Sequence, residues 1–406
     1  LKRFLLVNCS TAGSLAAVRS CCKRGSKILI SANSHISVYH AIEICGLLPV
    51  IMTSTAFGKY SFPDVVYPDM VKSALTEHPD ITAALITSPT YEGIISNIKS
   101  ISEIAHSHGI PLIVDEAHGP HLYFSSELKQ FTALKNGADI VIHSLHKTLP
   151  SLTQTAMLHI NSNLVSQSVI SHNLSIFQTS SPSYPLMASI DSCCHSLSLH
   201  GNEYYNEFAR SLKDFYLSTQ CLKKLNVLNF NEDISDNIFP RFDKGRILVY
   251  TGDSSINGYQ LSRMMMQEYK IKVEMAKEDY VLCLSTICDT KDNLNYLSES
   301  LISLDKTLTK NSDKHTVSFF SSEGLSVPAL PIEDAIMNKS IGTEFKKAIG
   351  KLSSEYIWSY PPGVPVIVPG QTITEEFYRK SLAYIDNGGK LISSNKRFPE
   401  YIRVNV

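Results

Sequence analysis

The chain has 406 residues, 43% of them hydrophobic and 18% charged, with 37 basic side chains against 38 acidic ones. A formal charge of −1 removes electrostatic attraction as a general route to nucleic acid or an anionic membrane. No run approaches the roughly 18 consecutive apolar residues of a membrane-spanning helix. Nine cysteines without a C-x-x-C pair argue against a secreted disulfide framework, so a reducing, cytoplasmic setting is expected.

The chain opens at Leu1 directly into the apolar stretch Phe4–Val7, and a preceding segment, with any targeting peptide, is expected to be missing. Strands are predicted at Phe4–Asn8, Lys27–Ser31, Leu48–Met52, Ile81–Ser88, Ile110–Asp115, Asp139–Ser144 and Ala156–Ile160. Helix-like stretches at Ser34–Ile44, Met70–His78 and Ile98–His108 lie between them, with apolar residues every three or four positions. This alternation reads as βαβ units on a mainly parallel sheet, whose most apolar strands are buried on both faces. After Pro185 two longer helices are predicted, Met187–His200 and Glu203–Leu217. A smaller α/β pattern follows, with strands Arg246–Tyr250, Lys272–Glu274 and Tyr280–Ser285 and helix Ile256–Tyr269. The polar run Thr307–His315 reads as a linker. The expected division is a large α/β domain over residues 1–238, a smaller C-terminal α/β domain over 239–310, and a last region over 316–406.

Ligands of such sheets bind at the carboxyl ends of the strands. There the sequence places Asp115 after one strand, and Ser144-Leu145-His146-Lys147 after the next. The first strand runs into Asn8-Cys9-Ser10-Thr11-Ala12-Gly13 and a helix. A lysine able to form a Schiff base and an aspartate able to keep a pyridine nitrogen protonated suit pyridoxal phosphate. The Ser-Thr-Ala-Gly turn offers N–H groups and hydroxyls to a phosphate, and Ser144 and His146 could hold the same group. Singly, each residue has a plainer reading. Asp115 could cap a turn, Lys147 could be a solvated lysine, and His35 could merely start a helix. His118 and His121 form an H-x-x-H pair, but two local ligands are too few for a metal site. Asp-Glu-Ala-His also spells a helicase motif, yet the chain has no G-x-x-x-x-G-K-[ST] loop.

Taken together, Val114-Asp115-Glu116-Ala117-His118-Gly119-Pro120-His121, Gly137-Ala138-Asp139-Ile140-Val141 and Ser144-Leu145-His146-Lys147-Thr148-Leu149-Pro150-Ser151 closely resemble the ornithine/lysine/arginine decarboxylase family. The resemblance continues, in order, through Asn33-Ser34-His35, Thr87-Ser88-Pro89-Thr90-Tyr91-Glu92-Gly93, Thr179–Tyr184 and Tyr360-Pro361-Pro362-Gly363. It implies a pyridoxal-phosphate enzyme of the aspartate-aminotransferase-like fold (fold type I). The implied activity is decarboxylation of lysine, ornithine or arginine to the corresponding amine of polyamine metabolism, in a homodimer or an assembly of dimers with shared active sites. By the same resemblance Lys147 is the Schiff-base lysine and Asp115 the partner of the pyridine nitrogen. Ser10, Thr11, Ala12, Ser144 and His146 fall at phosphate-binding positions. His35 would stack on the cofactor ring, Ala117 would lie against its other face, and His118 near its phenolic oxygen. Lys147 and His35 are the candidate proton donors to Cα, and Glu116 and Glu355 the candidates for the substrate's distal cation.

The chain departs from the family at Cys9, where the family has glycine, at Ala32 and Ile36, where it has basic residues, and at Gln371, where it has glutamate. Two other outcomes are therefore kept. One is a degenerate homologue that binds the cofactor and serves as a partner or regulatory subunit. The other is an aminotransferase or aldolase using Arg397 or Arg403 for the substrate carboxylate.

Overall fold

The computed structural model describes residues 1–53, 56–57, 60–230, 240–310 and 324–406. The first half forms β1 (Lys2–Leu6), α1 (Cys9–Cys21), β2 (Lys27–Ser31), α2 (Ile36–Cys45), β3 (Leu48–Thr53), α3 (Pro68–Glu77) and β4 (Ile81–Thr87). A short β5 (Ile94–Ile95), α4 (Ile98–Ser107), β6 (Leu112–Asp115), β7 (Ile140–Ser144), the one-turn α5 (Leu145–Thr148) and β8 (Ala156–Ile160) complete it. Strands β7, β6, β4, β2 and β3 are parallel neighbours in that order. β8 runs antiparallel to β7 and β1 antiparallel to β8, so β1 points the same way as β7. The carboxyl ends of β1, β2, β4, β6 and β7 thus share one edge, as the α/β reading requires.

Period-two alternation sends β2 side chains to both faces. Ile28 and Ile30 join α1 and α2 through Ala16, Val38 and Ile42 on one face. Leu29 joins α3 and α4 through Val71, Leu75 and Ile101 on the other. Both helix layers have local stop and start signals. The His35 ring caps α2 by accepting from Ser37 N, and Gly46 ends that helix at φ 58°. Asn97 caps α4 by accepting from Ser100 N.

After α6 (Gln167–Phe177), the two helices expected either side of residue 201 are a single α7, Tyr184–Ser218. Gly201, between the two expected helices, is there for packing. A Cβ on Gly201 would lie 2.4 Å from Phe124 Cδ1, so the helix approaches the Phe124 ring only without a side chain. The N-terminal half of α7 packs Ile190, Cys193 and Leu197 against Leu145 of α5 and Met157 of β8. Its C-terminal half packs Phe208, Leu212 and Phe215 on a second sheet. That sheet contains β9 (Asn226–Val227), β11 (Arg246–Tyr250), β12 (Met275–Ala276) and β13 (Tyr280–Leu284), all antiparallel, with α8 (Gly258–Tyr269) and α9 (Lys291–Thr307). Between them β10 (Arg241–Phe242) pairs with β5 of the large domain. The strand expected at Lys272–Glu274 lies one step later, where Met275 buries its side chain opposite Leu282. The expected domain boundary at 238/239 and most of the linker Thr307–His315 lie outside the described residues. Finally β14 (Gly324–Ser326) adds antiparallel to β3, so the C-terminal region returns to the large sheet. No helix among the described residues is long and apolar enough to cross a membrane.

A buried polar line crosses the sheet behind the strand ends. Tyr123 OH donates to Glu116 Oε2 at 3.1 Å, and His143 Nε2 lies 2.8 Å from the same oxygen. His143 Nδ1 lies 3.1 Å from His159 Nε2. Burial pushes the Glu116 carboxyl up to about 8, His143 down to about 3 and His159 down to about 2. The folded state therefore keeps both imidazoles neutral and Glu116 protonated near neutrality.

Two predictions follow from this packing. In the first, Gly201→Ala destabilises the protein despite a helix-propensity gain of up to about 1 kcal/mol, because overpacking costs about 1–3 kcal/mol. A lower urea midpoint that recovers in a Phe124→Leu background would establish it. The second concerns pH. Below the ordinary histidine value of 6.5 the unfolded chain binds protons at His143 and His159 that the folded chain refuses, so their stabilisation is lost as pH falls. Between the ordinary glutamate value of 4.5 and about 8 the folded chain holds the Glu116 proton, so that contribution is lost as pH rises. Stability from this line should peak near pH 6.5, changing by at most about 1.4 kcal/mol per pH unit per net proton. Glu116→Gln should flatten the alkaline limb of urea midpoint against pH, and His159→Gln the acid limb.

Candidate active site

At the shared strand edge, Asp115 ends β6 with its side chain buried, and its Oδ1 accepts from Ala117 N at 3.1 Å. Ala117 is buried beside it and leads to His118. From the end of β7, α5 carries Lys147 toward the same point, where Nζ lies 2.9 Å from His118 Nε2. His118 Nδ1 in turn lies 2.8 Å from Nη2 of Arg246, the first residue of β11. The Tyr91 ring packs edge-on against His118 with centroids 4.9 Å apart. The loop of Tyr91, helix α5 and the first residue of β11 therefore meet at a single imidazole.

A second group of polar atoms gathers at the start of α1. Ser144 Oγ donates to Ser10 Oγ at 2.8 Å. Ser10, Thr11 and Ala12 occupy the first turn of α1, where backbone N–H groups lack helical acceptors and the helix dipole is positive. Cys9 enters this turn at φ 67°, the left-handed region that favours glycine, at a cost of about 1–2 kcal/mol. The Cys9 N–H donates to Gln154 O at 3.0 Å, which holds the turn in that conformation. His146 places Nδ1 2.8 Å from Thr155 O, so the proton sits on Nδ1 and Nε2 is left as an acceptor in the neutral ring.

His35 stands at the end of the loop after β2. Its Nδ1 is taken by Ser37 N and Ser37 Oγ, which leaves Nε2 for other contacts. Ile36 N donates to Gly363 O at 3.0 Å, and a Cβ on Gly363 would meet His35 Nε2 at 3.3 Å. The turn Tyr360–Gly363 thus packs over this histidine. Beside it opens a cleft of about 200 Å³ whose walls include Asn33, Tyr91, Glu92, Glu278, Tyr280 and Tyr384. Asn33 Oδ1 is buried without a hydrogen-bond partner among the described residues.

Burial sets the electrostatics. It pushes the Asp115 carboxyl up, against the pull of Lys147. It pushes the Lys147 amine down, helped by Arg246 and opposed by Asp115. It lowers His35 to about 4 and His118 well below the usual histidine range. An amine and a carboxylate that are both disfavoured as ions are poised to react or to accept a partner.

Asp115, Ala117, His118 and Lys147 gather at the strand edge. Ser144 meets Ser10 at the start of α1, whose first turn also holds Thr11 and Ala12. His146 turns Nδ1 to Thr155 O, and His35 lies on the same edge. The two carboxylates considered for a distal cation are engaged elsewhere. Glu116 belongs to the buried line behind the sheet, accepting also from Ala133 N at 2.9 Å. Glu355 accepts from Arg403 N at 2.7 Å and Asn395 Nδ2 at 2.8 Å, stitching the C-terminal region. His121 turns from His118 to Asp243, 2.9 Å away, so the H-x-x-H pair does not converge. Gln371 fills a structural place, accepting from Val368 N and donating to Ser326 Oγ. Arg403 donates to Ser340 Oγ on its own sheet. Sequence reasoning missed Arg246 and Tyr91. Tyr91 lies within a motif noted for its resemblance, whereas Arg246 reads in sequence only as the start of a strand.

Residues 2–237 match the family profile described as Orn/Lys/Arg decarboxylase, major domain. An arginine decarboxylase of Bacillus subtilis is 30% identical over 378 residues, 92% of this chain and 76% of the relative. One of Bacillus cereus is 32% identical over 370 residues, 90% of this chain and 79% of the relative. The crystal structure of the Francisella novicida lysine decarboxylase superposes with a TM-score of 0.81 at 18% identity, covering all of this chain and 70% of that one, which establishes a common fold. With a profile match across more than half its length, and relatives above 30% identity along most of it, the chain belongs to the Orn/Lys/Arg decarboxylase family.

Proposed function

We propose that the protein removes the α-carboxyl group of a basic amino acid with the help of pyridoxal phosphate, releasing carbon dioxide and the corresponding amine. The observation that carries this is the convergence of a buried amine, Lys147, a buried carboxylate, Asp115, and a helix N-terminus rich in hydroxyls on one sheet edge. Arginine is the first substrate to test, because the long, better-matched relatives bear that name. Lysine and ornithine are the alternatives within the same reading.

The residues present fit this cofactor. Asp115 is a buried carboxylate raised by desolvation, and a protonated ring nitrogen would supply the cation it lacks. Ser10, Thr11, Ala12 and Ser144 offer hydroxyls and N–H groups to a phosphate, and His146 would add a donor at Nε2 by taking up a proton. Lys147, lowered by burial, is the amine suited to attack a carbonyl carbon. When bound, pyridoxal phosphate supplies an electron sink for the pair of electrons left as the carboxylate departs.

Each side chain then has a task. Asp115 would hold a proton at the ring nitrogen by its negative charge. Lys147 would hold the cofactor through its amine and, with His35, would be available to return a proton at Cα. Ala117 would leave room for the ring that a larger side chain would fill, and His35 would cover it. Glu92 and Glu278, which line the cleft together with Lys277 and several tyrosines, are the carboxylates available there to a distal ammonium or guanidinium. A homodimer or assembly of dimers completes the reading, with an interface on the order of 2,000 Å² or more. Sedimentation at nanomolar concentration checks it, and a stable active monomer would refute shared sites.

The chemistry is tested by incubating the protein with pyridoxal phosphate and arginine, lysine or ornithine while following carbon dioxide and amine. One of the three should turn over. Borohydride reduction should leave the pyridoxyl group on Lys147, and label on another lysine would end the assignment. Asp115→Asn, which keeps shape but removes charge, should lower turnover by about 10²-fold or more while retaining part of the cofactor. Cofactor held on Lys147 with no carbon dioxide from any of the three would favour the degenerate homologue.

A further inference from the structure

We propose that Arg246 is a positioning residue that locks His118 in the tautomer carrying its proton on Nε2, and thereby holds Lys147 as a neutral amine with its lone pair engaged by that proton. A guanidinium donates and never accepts. Arg246 Nη2 lies 2.8 Å from His118 Nδ1, so Nδ1 is the acceptor and carries no proton. The neutral ring then has its proton on Nε2, which lies 2.9 Å from Lys147 Nζ. An ammonium has three donors and no acceptor, so the partner that receives this N–H is the uncharged amine. The opposite arrangement, an ammonium donating to Nε2, would put a proton on Nδ1 and set two donors face to face across 2.8 Å.

The surroundings are built to deliver this arginine. Arg246 is fully buried, and its Nε and Nη1 have no hydrogen-bond partner among the described residues. A buried guanidinium so thinly bonded is costly to keep. Asp243 offsets part of that cost, with Oδ2 3.8 Å from Arg246 Nε, while the same oxygen binds His121. Gly93, at φ +94°, makes the passage possible, since a Cβ there would lie 2.5 Å from Arg246 Cγ. Asp243 N donates to Gly93 O at 2.8 Å and fixes the two segments together. The groups that interact with Lys147 are Asp115, Cys9, Glu274, Arg246, His118, His35 and His146. Among them only His118 presents its amine-facing nitrogen as donor or acceptor according to what Arg246 does.

The tautomer stands on the hydrogen-bond inventory alone, and its use in trapping a carbonyl rests on the proposed function. The test therefore uses the cofactor-free protein. With 15N-labelled histidine, native His118 at pH 7.5 should carry its proton on Nε2. Arg246→Met should shift it wholly or partly to Nδ1, and Arg246→Lys, which keeps a charged donor, should return it to Nε2. In parallel, reductive methylation of Lys147 by formaldehyde and cyanoborohydride, read by peptide mass, should slow about tenfold at pH 7.5 in Arg246→Met, the equivalent of one pH unit. It should recover most of its rate in Arg246→Lys. A proton on Nδ1 in the native protein overturns the proposal, whether or not the variants fold. An unchanged tautomer in Arg246→Met overturns it even if methylation slows, because that result leaves only a through-space charge effect. Neither readout depends on decarboxylation, so failure of the activity assay and failure of this inference are separately visible.

Discussion

Parallel pairing of β6 with β7 sets Asp115 opposite Ile142 and lets both strands end at one edge of the sheet. Everything chemical in the molecule hangs on that register. A one-residue slip would exchange the faces of every side chain on a strand. Asp115 would then leave the edge pocket, and His143 would leave the line that satisfies Glu116. The register is held by side chains buried on both faces, such as Val114 and Val141 toward one helix layer and Ile113, Ile140 and Ile142 toward the other. β1 extends the same edge by an indirect route, through antiparallel β8, so the polar turn at Cys9–Ala12 arrives beside Ser144.

Around that edge burial disfavours the charged forms of several ionisable groups. Asp115, Lys147, His118 and His35 are each pushed toward their neutral forms by loss of water. Desolvated charges are expensive, and pairing recovers only part of the cost. Arg246 is the exception, a guanidinium that stays charged at any ordinary pH, supported by Asp243. A charged pair, Arg246 with Asp243, set beside groups that burial pushes toward neutrality gives the site its direction.

Most of the scaffold was legible in the sequence because its signals are local. Alternation of apolar runs with helical periodicity marked seven strands of the large sheet, and buried runs such as Leu112–Val114 admitted few other readings. The site was legible where residues follow strands closely, as Asp115 and Lys147 do. What escaped depends on distant contacts. The single helix Tyr184–Ser218 was read as two, and the contact of Gly201 with the Phe124 ring is visible only in the fold. Glu116 and Glu355 are acidic residues of the right kind, but tertiary neighbours had already claimed their oxygens. Cys9 shows the reverse case. The position where the family has glycine adopts a φ of 67°, the region that favours glycine. Arg246 gave no signal, since its partner lies 128 residues earlier and only the fold joins them.

The turn Tyr360–Gly363 gives the assembly of this protein an order in time. Its carbonyl at Gly363 accepts from Ile36 N, and β14 closes the edge of β3, so the last part of the chain finishes a pocket whose first walls are made near its beginning. Ribosomes add about 5–20 residues per second, so the loop carrying His35 waits roughly a quarter of a minute to a minute before its cover is synthesised. During that interval the face of α2 that will meet Tyr356 and Val368 is open to water and to other chains. A nascent chain in this state presents apolar surface and a helix end without its covering turn. The burden of keeping it from aggregating falls on the time before residue 363 emerges, and not on any weakness of the finished fold.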